Sequence, residues 1–283
     1  SRLGFAQNLV HALELARGDF VKVLCDDDRL FPLCVERQVQ VLQAHDDVTL
    51  VLAQRMFADA SNYVLPMRLN NARFASIDSL FNGGDMLALL DGRPLNFLGN
   101  FSGALLRREP ALALLHALTQ AQNGFVALLD QALFCCLLRR GNFVMLSDVL
   151  LIERLHPERL SNQAPVIEAL APEWGWLQQM LSQRGSEAPP AVGWVRYVTL
   201  DGATDARRDW QEMNMVLLLS NWQTCMLGRI GSDCDSYEQL YQQWLAEHRG
   251  LRFDGYDALW RWSTTDLDAF WQSIWDYFDL QSP

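Results

Sequence analysis

Three consecutive aspartates, Asp26, Asp27 and Asp28, close the stretch "VKVLCDDD" at residues 21–28. The apolar run before them reads as a short strand over 19–25, so the carboxylates stand where a strand ends. Side chains alternate along an extended segment, which predicts that Asp26 and Asp28 point to one side. Two carboxylates held close together repel, and ionising both is costly unless a cation lies between them. Mg²⁺ or Mn²⁺ suits such oxygen ligands and keeps coordination places for substrate phosphates. One reading is therefore a metal–diphosphate site. The other is a solvated turn whose aspartates cap the helix that Pro32 begins.

The elements that must position these residues follow from periodicity. Phe5, Leu9 and Leu13, with Val10 beside them, mark a helical face, and Gly18 is its expected stop. After Pro32, the residues Val35, Val39 and Leu42 mark a second helical face, and "VTLVLAQ" (48–54) reads as a buried strand. Helix, strand, helix, strand predicts an α/β sheet with parallel strands. Residues 59–104, with "NNARF", "NGGD" and "DGRPLNFLGNFSG", read as loops that shape a pocket or simply connect elements. Helices are expected at 109–121 and 125–140, and a strand at 142–146. "RGSEAPPA" (184–191) reads as a linker, and helices are expected at 209–230, 237–249 and 266–279. The expected organisation is a domain over 1–183, a linker with a helical extension over 184–235, and a helical segment over 236–283.

Composition narrows the partners. The formal net charge is −11 over 283 residues, which disfavours a nucleic-acid backbone. A phosphate-bearing substrate stays compatible, because a metal can offset the global field locally. The six cysteines form no CxxC pair and suggest neither a zinc site nor a disulfide framework. A reducing, cytoplasmic setting is the expectation. No apolar run is long enough for a transmembrane helix. The chain opens inside a helical pattern without an initiator methionine and reads as an internal piece of a longer protein.

The stretch "LGFAQNLVHALELARGDFVKVLCDDDRLFPLCVERQVQVL" resembles the middle of a family-two glycosyltransferase with the GT-A fold, through Asn8, Ala16, Gly18, Asp19 and Asp26 to Asp28. The family often has an aspartate where Cys25 stands, which leaves open which pair forms the DxD motif. "LNFLGNFSGALLRRE" (95–109) is similar to the segment that lines the sugar pocket. "GFVALLDQALFCCLLRRGNFVMLSDVLLIERLHPERLS" (124–161) is similar to the acidic helix and the R-x-H that follows the last strand. The resemblance implies a truncated, Rossmann-like GT-A domain that transfers sugar from a nucleotide sugar to a hydroxyl acceptor with Mg²⁺ or Mn²⁺. It implies Asp130 as catalytic base, Asp26, Asp27 and Arg154 as nucleotide-sugar contacts, and Asp26, Asp28 and His156 as metal ligands. On the residues alone, Asp130 also suits a helix dipole, and His156 a surface position. The match spans roughly 3–162 and only the second half of such a domain, so the first strands are expected before residue 1 and a sheet edge is left open.

Residues 237–278 are unusually aromatic. Tyr237, Leu240, Tyr241 and Trp244 share one helical face, as do Phe270, Ile274 and Phe278, with Trp271 and Trp275 alongside. Asp266 is placed to start the last helix. A stripe this apolar needs a partner surface, so self-association through it or through the open sheet edge is an expectation. Tyr256, Leu259, Trp262, Ser263, Phe270, Trp271, Trp275, Asp276 and Phe278 resemble the amino-terminal region of AMP-forming acyl-CoA synthetases of the acetoacetyl-CoA synthetase type. That likeness implies a ligase activity for a longer product, in which the ATP-binding motifs would follow Pro283. A non-catalytic fragment with a helical packing module is the third alternative. The expected fold class is α/β followed by an all-helical region beyond 205.

Overall fold

The computed structural model describes residues 4–65, 77–90, 98–120, 124–182, 194–200, 209–215, 237–254 and 256–277. Two compact units divide the chain, Ser1–Val216 and Leu217–Pro283.

The first unit is a mixed α/β fold around an eight-stranded sheet. Its strands are β1 (Phe20–Lys22), β2 (Arg29–Leu30), β3 (Val48–Asp59), β4 (Ser79–Phe81), β5 (Ala104–Arg107), β6 (Asn142–Leu155), β7 (Trp194–Thr199) and β8 (Gln211–Asn214). The order is β1-β5-β3-β6-β4-β7-β8, with β2 paired to β6. Only β3 and β6 pair in parallel; every other named pair is antiparallel.

The expected parallel sheet is thus corrected. β1 and β3 run the same way, as the intervening helix requires, but they do not touch. β5 arrives later in the chain and inserts between them, antiparallel to both, burying Ala104, Leu105 and Leu106. A local helix–strand pattern predicts direction and leaves the neighbour undetermined. β1, β3 and β6 share one direction, so their carboxyl ends lie along one rim of the sheet. The loop-rich reading of 59–104 is corrected too: β4, the helix α3 (Gly83–Leu90) and the start of β5 lie within it. "NNARF" lies outside the described residues.

Helices α1 (Phe5–Leu15), α2 (Cys34–Ala44), α4 (Arg108–Gln120), α5 (Leu129–Leu138) and α6 (Ala164–Ser182) complete the unit. In α1 the residues Leu9, Val10 and Leu13 are buried, whereas Phe5 is exposed. In α2 the buried face is Cys34, Gln38 and Leu42, not the expected Val35, Val39 and Leu42, and Val35 is exposed. The rotation has a polar cause. Gln38 donates through Nε2 to Val51 O at 3.2 Å and Gly103 O at 2.7 Å, and accepts from Lys22 Nζ at 2.8 Å. A fully bonded amide can sit in a core that a hydropathy pattern reserves for valine. Leu42, Val48, Val51, Leu80, Leu105 and Val144 belong to the buried apolar cluster of this core. Burial also lowers Lys22 to a pKa of about 8.

The helical reading of 209–230 is corrected at 211–214, where β8 pairs with β7. The 184–191 linker and residues 216–230 lie outside the described residues. The hairpin is fixed to α3 by Asp85, a buried carboxylate that takes Arg196 Nε at 2.7 Å and Nη2 at 2.9 Å. Among the described residues no helix is long and apolar enough to cross a membrane.

The described part of the second unit holds α7 (Tyr237–Arg249), α8 (Tyr256–Thr265) and α9 (Leu267–Tyr277). Leu245 and Leu259 form its core, with Trp244, Leu251, Phe253, Trp262 and Phe270 packed on them. Asp266 starts α9 as expected, accepting from Ala269 N at 3.3 Å.

Candidate functional site

The acidic stretch is a turn, not an extended strand. β1 ends at Lys22, and Asp28 N donates to Cys25 O at 3.2 Å. The turn removes the alternation that would pair Asp26 with Asp28. Asp26 is exposed, while Cys25, Asp27 and Asp28 bring their ligand atoms within 4.8 Å of one another. β2 follows at once and pairs Arg29 with Ile152 and Leu30 with Leu151, which lays the turn against the end of β6.

That register decides the partners of the carboxylates. Asp28 is 7% exposed; its Oδ1 accepts from Arg154 N at 3.2 Å and its Oδ2 from Asn100 Nδ2 at 2.9 Å. Burial pushes Asp28 above the usual carboxylate range, helped by the negative Glu153, while hydrogen bonds from Ser102 and Asn100 act against the rise. Asp27 Oδ2 lies 3.1 Å from His156 Nε2. Ser102, fully buried, accepts from Cys25 N at 2.9 Å.

Asp130 stands in the first turn of α5 and joins the same rim through its neighbour. Gln131 Nε2 donates to Gly99 O at 3.0 Å, and Asn100, the next residue, holds Asp28. Burial lifts Asp130 to a pKa of about 7; the hydrogen bond from Gln131 N opposes it, Glu153 adds to it, and Arg55 opposes it. Arg55 and Glu153 are both buried, with Nη1 to Oε2 at 3.2 Å, and Arg159 Nη2 reaches Glu153 Oε1 at 2.6 Å. This network braces the floor between Asp130 and the turn.

Gly99 has φ +96, and a Cβ there would lie 2.6 Å from Arg55 Nη1. Gly99→Ala is expected to lower stability by about 1–3 kcal/mol, from backbone strain and a displaced guanidinium. Urea denaturation checks it, and a loss below about 0.5 kcal/mol contradicts it.

The chain matches no protein-family model, and it matches no curated protein. Function is therefore argued from this constellation and from the resemblance of its residues.

A divalent cation fits the donor set. Asp27 and Asp28 offer carboxylate oxygens, and Asn100 Oδ1 is a buried acceptor with no hydrogen-bond partner beside them. Cys25 fits a hard ion poorly, because burial pushes its thiol up to about 11 and keeps it protonated at neutral pH. Of the expected residues, the structure brings together Asp27, Asp28, Arg154 and His156, with Asp130 on the adjoining helix, and leaves Asp26 outside. The sequence reading did not single out Asn100, Ser102, Arg55, Glu153 or Glu173. Asn100 and Ser102 lie within "LNFLGNFSG"; Arg55 and Glu153 stand out as charges inside otherwise apolar strands.

Proposed function

We propose that this unit is part of a metal-dependent glycosyltransferase, moving a sugar from a nucleotide sugar to a hydroxyl. The observation that carries the reading is the convergence of Asp27, Asp28, Arg154 and His156 on one rim, beside an acid that titrates near neutrality. Mg²⁺ or Mn²⁺, held by Asp27 and Asp28 with Asn100 Oδ1 in reach, would neutralise charge on a leaving diphosphate. Asn100 and the Arg154 N–H orient Asp28, and His156 orients Asp27. Arg154 Nε is buried with no hydrogen-bond partner and is a donor suited to a phosphate oxygen. Asp130, with a pKa of about 7, can take the acceptor hydroxyl's proton at neutral pH.

The test is calorimetric titration of UDP into the chain with and without Mn²⁺. Metal-dependent binding is expected. Equal heats in the two titrations overturn the metal–diphosphate reading.

A further inference from the structure

Glu173 is 1% exposed in the middle of α6. Its carboxylate accepts three consecutive backbone N–H groups: Val126 on Oε1 at 2.7 Å, and Ala127 at 2.9 Å and Leu128 at 2.7 Å on Oε2. These residues lead directly into α5, whose second residue is Asp130. The helix has no capping side chain of its own, since Leu128 occupies the cap position. A helix start attracts negative charge, and its unpaired donors need acceptors. Here Glu173 of another helix supplies the negative charge and meets Leu128 N, while Asp130 itself meets Gln131 N. Trp176, one turn further along α6, meets Phe125 edge to face at 6.0 Å, so α6 grips residues 125–128 at two points.

We propose that Glu173 is a positioning residue for Asp130: its carboxylate fixes the backbone of 126–128 and so sets where the first turn of α5 presents the catalytic carboxylate. This deepens the glycosyltransferase reading and rests on it for the word catalytic. Three charge-assisted bonds onto one buried carboxylate are more than α5 needs to be helical, since its buried residues Leu129, Leu133 and Leu137 already pack it. Holding the backbone of 126–128 limits a shift of α5 along its axis, which would carry Asp130 with it. A misplacement on the order of 1 Å lowers a rate by about 100-fold. The groups that face Asp130 electrically are Arg55 from β3, Glu153 from β6, Cys25 from the acidic turn and Cys135 from its own helix. Glu173 reaches Asp130 through the backbone that it holds.

The experiment compares wild-type chain with Glu173→Gln, which keeps the shape and loses one acceptor. Two quantities are read: the Asp130 titration midpoint, from side-chain carboxyl NMR, and the kinetics of sugar transfer. In Glu173→Gln the midpoint is expected to fall by about one pH unit toward the ordinary carboxylate value as the side chain leaves its buried place. Turnover is expected to fall about 100-fold with the donor KM within about twofold, because the donor contacts lie on other elements. An unchanged midpoint overturns the proposal, as does a donor KM that rises while turnover holds. A shifted midpoint in a chain that neither transfers sugar nor binds UDP with Mn²⁺ supports the positioning of Asp130 and removes the transferase reading. Should Glu173→Gln fail to fold by circular dichroism, Glu173→Asp, one methylene shorter with its charge retained, carries the same two readouts.

Discussion

Asp130→Asn is expected to lower sugar transfer by about 10²–10⁴-fold and, in the same molecule, to raise stability above neutral pH. The two effects share one cause. Burial holds Asp130 at a pKa of about 7, against an ordinary 3.8 in the unfolded chain. Between those values the unfolded chain has released its proton and the folded chain has not. Stability therefore falls as pH rises from about 4 to about 7, and above that the ionised, desolvated carboxylate is present in full. Asparagine has no proton to lose, and its oxygen can still accept the 2.8 Å bond from Gln131 N that Asp130 accepts. The variant should match wild type near pH 4 and exceed it by about 2 kcal/mol at pH 8, discounted for the solvent this half-buried side chain still meets. Urea unfolding at both pH values measures the difference. For wild type, turnover should climb with pH through about 7, because only the ionised form accepts a proton. A variant that is no more stable at pH 8 than wild type refutes the buried-acid account. A variant that transfers sugar at the wild-type rate refutes the base assignment.

A residue that destabilises the fold in the ionic form needed for chemistry is a sign of function rather than packing. The surrounding charges fit that view. Arg55 and Glu153 are a buried ion pair, and the half-buried Arg159 reaches Glu153. The negative Glu153 acts on both Asp130 and Asp28 and raises the pKa of each.

Some of this was legible in the sequence and some was not, for physical reasons. Elements whose apolar pattern is strong were readable: α1, α4, α7, α9 and the starts of β3 and β6 lie where periodicity places them. The pairing of β5 between β1 and β3 was not, because nothing local in "ALLR" states which strand it joins. Gln38 was not part of the expected α2 face, because its burial depends on two carbonyls, Val51 O and Gly103 O, contributed from distant segments. At the site, three aspartates in a row signalled a cluster, but which of them converge was set by one backbone bond, Asp28 N to Cys25 O. Glu173 carried no signal at all: a glutamate in "APEWGW" reads as a solvated helix face until the loop before Asp130 is seen folded onto it.

That one backbone bond yields the sharpest test of the acidic turn. An extended strand would pair Asp26 with Asp28, whereas the turn pairs Asp27 with Asp28 and turns Asp26 to solvent. Mn²⁺-dependent UDP binding should therefore survive Asp26→Ala within about twofold, and fall by about 100-fold or more in Asp27→Asn and in Asp28→Asn. The two losses should differ in kind. Asp27 has one side-chain partner, His156, and its side chain is 23% exposed, so Asp27→Asn should leave stability nearly unchanged. Asp28 accepts from Asn100 Nδ2 and Arg154 N in a buried place. An amide there opposes one of them with its own N–H, leaving a buried donor unmet at about 1–3 kcal/mol. Asp28→Asn should thus lose both UDP binding and stability, and Asp27→Asn binding alone. If Asp26→Ala abolished binding while Asp27→Asn kept it, the turn would be the wrong conformation for the liganded protein. If all three variants bound UDP like wild type, the stacked carboxylates would be no more than a turn before α2.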